Sequence, residues 1–247
     1  MEAAAYHAHY LLQAEWLSPS RHFLYRKISL ANHDRILDLG CGSGVITAEV
    51  AAICGRPVLG VDRDSAMIAF AQAEYPGNRF LAADENELLK QGLHFDLIVL
   101  SFVLMWQAKP KQFLNKMKKL LSAKGTLLLL AEPDYGGRID FPAELDFLKE
   151  IFIGHIFRQH GDPYIGRKLK SLLEKSDWRA EVGLASHLNF PTDYDPGRWE
   201  KEWRFWQELA ELPERTVKKI LERETKAFRL RQRLVLFPVF YAIARNP

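Results

Sequence analysis

The sequence has few cysteines and no long apolar run, and each of these features argues against a class of protein. Its two cysteines, Cys41 and Cys54, form no CxxC pair and have no histidine at metal-ligand spacing around them. This argues against a disulfide framework and against a zinc site, so we expect reduced thiols and no metal. No stretch reaches the roughly 18 apolar residues of a membrane span, and the N-terminus lacks the features of a signal peptide. The sequence predicts a cytoplasmic protein.

The sequence also lacks a strong excess of charge of one sign. Its 34 Lys and Arg residues stand against 31 Asp and Glu residues, for a net charge of +3. Because both signs are spread along the chain, a nucleic-acid partner is not expected. A chain of 247 residues is long enough for one α/β domain with decorations. We expect a single domain over residues 1–247, as a monomer or a homodimer.

Short aliphatic runs alternate with helix-compatible segments from residue 35 to about residue 132. The runs, each bounded by Gly, Pro or Asp, are RILDLG, PVLGVD, RFLAAD, FDLIVLS and GTLLLLAE. The segments between them include Val45–Cys54, Ser65–Glu74 and Lys111–Leu121. Strands that alternate with helices predict a parallel sheet covered on both faces. We therefore expect an α/β fold.

The flanking segments predict further helices and strands. Tyr6–Leu30 has the pattern of one or two helices, broken near Ser18 and Pro19. Strand patterns follow near Arg179–Phe190 and in the closing run LVLFPVFYAIAR. The expected division is a core at residues 31–134 with helical caps at residues 1–30, 135–163 and 191–232.

Three glycines follow the first predicted strand, in the segment Gly40-Cys41-Gly42-Ser43-Gly44. A glycine loop between a strand and a helix exposes backbone N–H groups without obstruction by Cβ atoms. At the carboxyl edge of an open α/β sheet, such a loop predicts nucleotide binding. The dinucleotide fingerprint requires its third glycine at position 45, where this chain has Val45. The spacing therefore disfavours a nicotinamide cofactor.

The segment ILDLGCGSG resembles the first motif of the class I S-adenosylmethionine-dependent methyltransferases, a hydrophobic strand with an acidic residue followed by GxGxG. Later segments resemble further motifs of this family in the same order, so the resemblance covers about Arg35–Asp134. It implies a Rossmann-like methyltransferase fold, which is a doubly wound, seven-stranded, mostly parallel sheet with helical cap insertions. Its last two strands would be Arg179–Phe190 and an antiparallel Leu234–Arg245. The implied cofactor is S-adenosyl-L-methionine.

The resemblance also implies which residues bind the cofactor. Asp62 stands where the family has the carboxylate that accepts hydrogen bonds from both ribose hydroxyls, and Asp84 where an acidic residue accepts from the adenine amino group. Asp38 either orients the methionine amino group or braces the loop, and Met67 either packs near the adenine or belongs to the core. The predicted cofactor-binding residues are Asp38, Gly40, Gly42, Gly44, Asp62, Arg63, Met67, Asp84, Glu85 and Ser101.

The segments AEPDYGGRIDFP and HIFRQHGDPYIGRKLKSLLEKSDW resemble small-molecule methyltransferases of the menaquinone and ubiquinone C-methyltransferase-like group, in which an inserted helix covers the acceptor pocket. His155, His160 and Tyr135 are the predicted catalytic residues, the histidines because imidazole exchanges protons near neutral pH. Each histidine can also be a surface or packing residue. Many small-molecule members carry a histidine after the fourth strand, where this chain has Met105-Trp106. The candidates for the pocket lining are Trp106, Glu132, Tyr135, Arg138, His155, Arg158, His160 and Tyr164.

We expect a methyltransferase that acts on a small, partly apolar molecule by in-line methyl transfer. Trp199, Trp203 and Trp206 share one face of a predicted helix. That face either docks on the core, covers an apolar acceptor or forms a dimer contact. The alternative functions are an RNA methyltransferase that uses the basic runs, a nicotinamide-dependent oxidoreductase, and a scaffold that binds the cofactor without turnover.

Overall fold

The computed structural model of the chain describes residues 2–185 and 195–246. Its strands are β1 (Ile36–Leu39), β2 (Leu59–Asp62), β3 (Arg79–Ala82), β4 (Phe95–Ser101), β5 (Leu121–Pro133), β6 (Ile139–Phe141), β7 (Arg179–Leu184), β8 (Leu234–Leu236) and β9 (Val239–Arg245). Its α-helices are α1 (Ala3–Lys27), α2 (Val45–Cys54), α3 (Ser65–Glu74), α4 (Glu85–Lys90), α5 (Pro110–Leu120), α6 (Leu148–Arg158), α7 (Ile165–Glu174), α8 (Pro196–Leu209) and α9 (Glu214–Arg229).

Seven strands of the described residues form one sheet in the order β3-β2-β1-β4-β5-β9-β7. Neighbouring strands are parallel except where β9 pairs with β5 and with β7. The predicted seven-stranded, mostly parallel sheet is confirmed. The strand order reverses between β1 and β4, and the carboxyl ends of strands at such a switch point form a ligand crevice.

The core lies on both faces of this sheet, as the apolar runs predict. In β4, Ile98 and Leu100 belong to one apolar cluster, whereas Leu97 and Val99 belong to a second. All four side chains are fully buried. Because successive side chains of a strand point to opposite faces, both sides of β4 must be covered. In the parts of the chain that the structure describes, no helix is long and apolar enough to cross a membrane.

Two predicted elements differ from the structure. The helix α1 is continuous through Pro19, although a proline inside a helix removes one backbone donor. Its buried residues Leu24 and Tyr25 pack in the core on one face of the sheet, which holds the helix in place. The predicted strand Leu234–Arg245 is two strands, since Pro238 separates β8 from β9 and β8 pairs with β6. A proline cannot donate to a strand ladder.

Other predicted elements agree with the structure as far as it reaches. The helices α2 and α3 have the predicted bounds, and α5 starts and ends one residue early. The strand β7 ends at Leu184, and residues 186–190 of the predicted strand lie outside the described residues. So do residues 191–194 of the predicted cap. The short helix α4 was not among the predicted segments.

Candidate functional site

The glycine loop connects β1 to α2 at the switch point of the sheet. Gly40, Gly42 and Gly44 have φ angles of 75°, 52° and 84°, in the left-handed region that only glycine adopts without strain. The backbone N–H of Gly40 donates to the carbonyl of Val61 at 2.7 Å, which fastens the loop to β2. The turn therefore requires glycine for its backbone conformation as well as for access to a ligand.

Two predicted carboxylates lie at the carboxyl ends of neighbouring strands. Asp62 ends β2 and accepts hydrogen bonds from the backbone N–H of Gly42 at 2.9 Å and of Asp64 at 3.0 Å. Asp84 follows β3 and begins α4, where its side chain accepts from the N–H of Asn86 and of Glu87. The Glu87 carboxylate accepts from the Asp84 N–H in return, which completes a capping box. Backbone donors thus fix the position of both carboxylates.

Two further carboxylates are buried at the same edge of the sheet. Asp38 accepts a hydrogen bond from the Thr47 hydroxyl at 2.6 Å, and burial raises the pKa of its carboxyl group to about 7. Glu132 accepts from the backbone N–H of Leu104 at 2.9 Å and of Met105 at 3.2 Å, and burial raises its pKa to about 8. Glu132 therefore braces the segment after β4 from beneath, and it was predicted as a lining residue.

One cavity of about 760 Å³ opens above these residues. Most of the predicted cofactor-binding residues line it, namely Asp38, Gly40, Gly42, Asp62, Arg63, Met67, Asp84, Glu85 and Ser101. Trp106, Tyr135 and His155 from the predicted acceptor side line the same cavity. The fold therefore brings the glycine loop and the segments after β4 and β5 to one space.

The remaining predicted residues do not line this cavity. Gly44 lies behind the loop, where an added Cβ would meet the Phe80 ring at 2.8 Å. His160 is exposed in the turn after α6, and Arg158 is exposed near the end of that helix. The Arg138 guanidinium stacks on the Phe152 ring and pairs with Asp140, and Tyr164 packs beside Arg167.

The helices α1, α6 and α8 supply the other wall of the cavity, and we call these three helices the cap. On α8, the Phe205 ring stacks on the ring of His9 from α1 at a centroid distance of 4.0 Å. The neighbouring Trp206 meets the His9 ring edge to face at 5.9 Å and the His155 ring of α6 at 5.8 Å. Trp203 is buried and Trp199 packs against the core, so the predicted tryptophan face of α8 does dock inward.

The lining residues of α1 were not among the predicted site residues. Tyr6, His9, Tyr10 and Gln13 all line the cavity. Tyr10 lies against the glycine loop, because a Cβ added at Gly42 would come within 2.9 Å of its ring. These residues recur three or four positions apart, which places them on one helix face. That spacing was a signal in the sequence, although nothing local indicates what the face meets.

The described residues contain no group of three or more His, Cys, Asp or Glu side chains that could hold a metal ion. Cys41 and Cys54 are both free thiols.

Comparisons with known proteins identify the segment that forms the glycine loop and the strands around it. Residues 37–129 match a family model described as a methyltransferase domain. A putative methyltransferase, 235L, of Invertebrate iridescent virus 6 is 29% identical over 114 residues, which cover 45% of this chain and 42% of that protein. A trans-aconitate 2-methyltransferase of Escherichia coli O1:K1 / APEC is 35% identical over 106 residues, which cover 42% of this chain and 41% of that protein. These matches thus span about two fifths of each relative's length.

A solved structure is similar over almost the whole chain. It is a SAM-dependent methyltransferase from Archaeoglobus fulgidus, with a TM-score of 0.56 and 20% sequence identity over 96% of this chain and 98% of that one. At this identity the similarity concerns the fold. Residues 37–129 thus match a methyltransferase domain, and the chain as a whole has the fold of a solved SAM-dependent methyltransferase.

Proposed function

We propose that the protein transfers a methyl group from S-adenosylmethionine to a small, partly apolar molecule that binds under the cap. The observation that supports this most directly is the single cavity shared by the glycine loop and the cap. Its volume of about 760 Å³ falls within the roughly 300–1,000 Å³ of small-molecule sites. Cofactor and acceptor can therefore meet in one space.

The residues of the loop side fit the proposed cofactor. Acidic side chains outnumber arginines in the cavity lining, the acidic ones being Asp38, Asp62, Asp64, Asp84 and Glu85 and the arginines Arg21 and Arg63. An acidic lining favours a ligand that carries a sulfonium and an ammonium group. The buried Asp38 carboxyl has one hydrogen-bonding partner, Thr47, and a cationic group beside it would favour its ionised form. We assign the ribose hydroxyls to Asp62 and the adenine amino group to Asp84.

Bound S-adenosylmethionine would supply a methyl group made electrophilic by the sulfonium sulfur. The protein's task is then to align the acceptor's lone pair with that methyl group and to exclude water. His155 is the candidate for accepting a proton, since burial, and then the charge of Arg158, lowers its pKa and keeps the ring neutral at pH 7. Burial raises the pKa of Tyr135 to about 12, so its phenol would donate a hydrogen bond rather than act as a base. His160, exposed outside the lining, has no role in this proposal.

The charges of the cavity bear on the kind of acceptor. Several relatives are named trans-aconitate 2-methyltransferases, and trans-aconitate is a polycarboxylate. In this chain Arg21 is held by both carboxylate oxygens of Glu49, at 2.8 and 2.6 Å, and Arg63 directly follows the carboxylate of Asp62. A polycarboxylate under this cap would face more acidic groups than arginines, which supports an acceptor with little negative charge.

The test is to measure cofactor binding first and turnover second. S-adenosylmethionine and S-adenosylhomocysteine should raise the melting temperature because they bind the native state, whereas NAD and NADP should not. Turnover is then followed as S-adenosylhomocysteine released with a panel of small neutral and anionic acceptors, and with bulk RNA. A shift with NAD alone would refute the proposal. Methylation restricted to RNA, falling steeply with added salt, would support an RNA methyltransferase instead.

A further inference from the structure

His9 is a buried polar residue of the cavity wall that the proposed function leaves unused. His9 belongs to α1 and is 6% exposed. It lines the cavity together with its neighbour Tyr10, whose ring lies against the glycine loop. The ring is stacked flat on Phe205 and meets Trp206 edge to face. These contacts fix the plane of the imidazole, so the directions of its two nitrogen atoms are fixed as well.

The hydrogen bonding of His9 defines which nitrogen carries its proton. The side-chain amide nitrogen of Gln13, one turn further along α1, lies 3.1 Å from Nε2 of His9. An amide nitrogen can only donate, so Nε2 accepts and the ring proton of the neutral form is on Nδ1. Burial lowers the pKa of His9 to about 4, so the ring is neutral near pH 7.

The Nδ1–H group has no partner among the described residues, although the atom is buried. A buried donor without a partner is costly in a folded protein, and such groups in native structures call for an explanation. Here the residue that carries the atom lines a cavity, in a domain whose cofactor half faces a different part of α1. On that other part, His7 contacts the Ser43 hydroxyl at 2.9 Å and Tyr10 covers Gly42. His9 instead faces α8 and the side where His155 lies.

We propose that His9 is a specificity-determining residue of the acceptor subsite, whose Nδ1–H donates a hydrogen bond to an uncharged lone pair on the methyl acceptor. A carbonyl oxygen, an ether oxygen or a ring nitrogen has the required chemistry. This inference rests on the proposed function for the identity of the ligand. His9 is stacked flat on Phe205, next to Trp206. An acceptor with a planar ring would pack against these aromatic side chains.

The test uses a matched pair of probes that differ in one lone pair. Quinoline has a ring nitrogen that accepts a hydrogen bond, and naphthalene has the same shape without it. Their affinities are measured on the full chain, with and without S-adenosylhomocysteine, by quenching of tryptophan fluorescence. One neutral hydrogen bond should make quinoline bind about five- to tenfold more tightly. A third probe, 1-naphthoate, should bind less tightly than quinoline because of the acidic lining.

Two variants separate the hydrogen bond from the shape of the site. His9→Phe keeps an aromatic ring against Phe205 and removes the donor, so quinoline and naphthalene should bind equally. His9→Asn replaces the ring by an amide that can donate from about the position of Nδ1, and it should restore part of the preference. His22→Phe, at an exposed position of the same helix, is the control and should leave the preference unchanged.

Each outcome bears on the inference. Equal affinity of the wild-type protein for quinoline and naphthalene would overturn it, as would tighter binding of 1-naphthoate. A His9→Phe variant that loses S-adenosylhomocysteine affinity by the same factor as quinoline affinity would assign His9 to the cofactor half and also overturn it. Failure of the wild-type protein to bind S-adenosylhomocysteine would contradict the proposed function alone, because the probe titration without that ligand still reports on His9.

Discussion

The loop side and the cap side of the cavity hold their polar groups in different ways. On the loop side, backbone N–H groups satisfy the carboxylates of Asp62 and Asp84. On the cap side, aromatic rings hold His9 and His155 in place, and His9 Nδ1 has no partner among the described residues. The loop-side carboxylates of Asp62 and Asp84 thus have protein partners already, whereas the cap side contains a buried donor that has none among the described residues.

This difference indicates which side determines specificity for the cofactor and which side determines specificity for the acceptor. Backbone geometry changes little with side-chain substitution, so a loop built from it can serve one cofactor in many proteins. A wall of side chains changes with every substitution and can be adapted to one acceptor. The match to the methyltransferase domain ends at residue 129, before the cap helices α6 and α8 begin. The matched segment therefore contains the glycine loop but not these two helices.

The largest expected effect concerns the buried charges that join β6 to α9. Arg233 pairs with Asp140 of β6 and with Glu224 of α9, both at 2.6 Å. Arg233→Met would remove the partner of the buried Glu224 carboxylate and leave Asp140 paired with Arg138 alone, which should lower the free energy of unfolding by about 3–5 kcal/mol. Urea denaturation measures this loss. S-adenosylhomocysteine affinity of the folded variant should be unchanged, because Arg233 does not line the cavity.

Arg204→Met is the matched control for that experiment. Arg204 forms an ion pair with Glu214 at the surface, 2.7 Å apart, and exposed pairs contribute little to stability. We expect no measurable change in the urea midpoint. Equal effects of the two substitutions would contradict a larger contribution of the buried ion pairs to stability.

The second prediction concerns Asp62 and the loop side. Asp62→Ala removes the proposed partner of the ribose hydroxyls and the acceptor of the Gly42 N–H, so cofactor affinity should fall by about 2–4 kcal/mol. Calorimetry with S-adenosylhomocysteine measures this loss of affinity. The control is Asp34→Ala, which changes an exposed carboxylate. Unchanged affinity would remove Asp62 from the cofactor site.

The third prediction uses Glu132, which lies under the segment that joins the two sides. Its pKa is raised from 4.5 to about 8, so the stability that it contributes is complete below about pH 4.5 and is lost as the pH rises through about 8. Between about pH 6 and about pH 8, the unfolding free energy of the wild type should fall by about 2 kcal/mol more than that of Glu132→Gln. Urea denaturation at each pH tests this, with the exposed Glu144→Gln as control. Parallel pH curves for wild type and Glu132→Gln would contradict it.

The smallest expected effect concerns the contact of α1 with the glycine loop. Gly42→Ala and Gly92→Ala both place a Cβ on a residue with positive φ, but only at Gly42 does that atom meet another residue, Tyr10, at 2.9 Å. Gly42→Ala should therefore lower the free energy of unfolding by about 1 kcal/mol more than Gly92→Ala. Adding Tyr10→Ala should remove the difference, since it removes the ring. If the difference between Gly42→Ala and Gly92→Ala persists in the Tyr10→Ala background, the extra destabilisation comes from the glycine loop itself and not from contact with Tyr10.

Much of the loop side could be predicted from the sequence because its interactions are local. The left-handed turns of Gly40, Gly42 and Gly44 lie within one strand-turn-helix unit, and Asp84 caps the helix that follows it directly. A short-range pattern therefore identified these residues, even where it missed the helix α4. By contrast, the sequence offered Glu132 and His160 as residues of the acceptor pocket. Whether a side chain at the end of β5 or after α6 points into the cavity depends on packing that no local pattern records.

The sequence by itself determined the alternation of strands and helices, and with it a glycine loop and two carboxylates at the same edge of a parallel sheet. The order of buried apolar runs is sufficient for this, because parallel strands bring their carboxyl ends together. Only the tertiary structure decided that α1, from one end of the chain, and α8, from near the other, meet across the cavity with His9 stacked on Phe205. Those contacts arise from helix faces packing together, and the sequence of each face fixes its apolar stripe but not its partner.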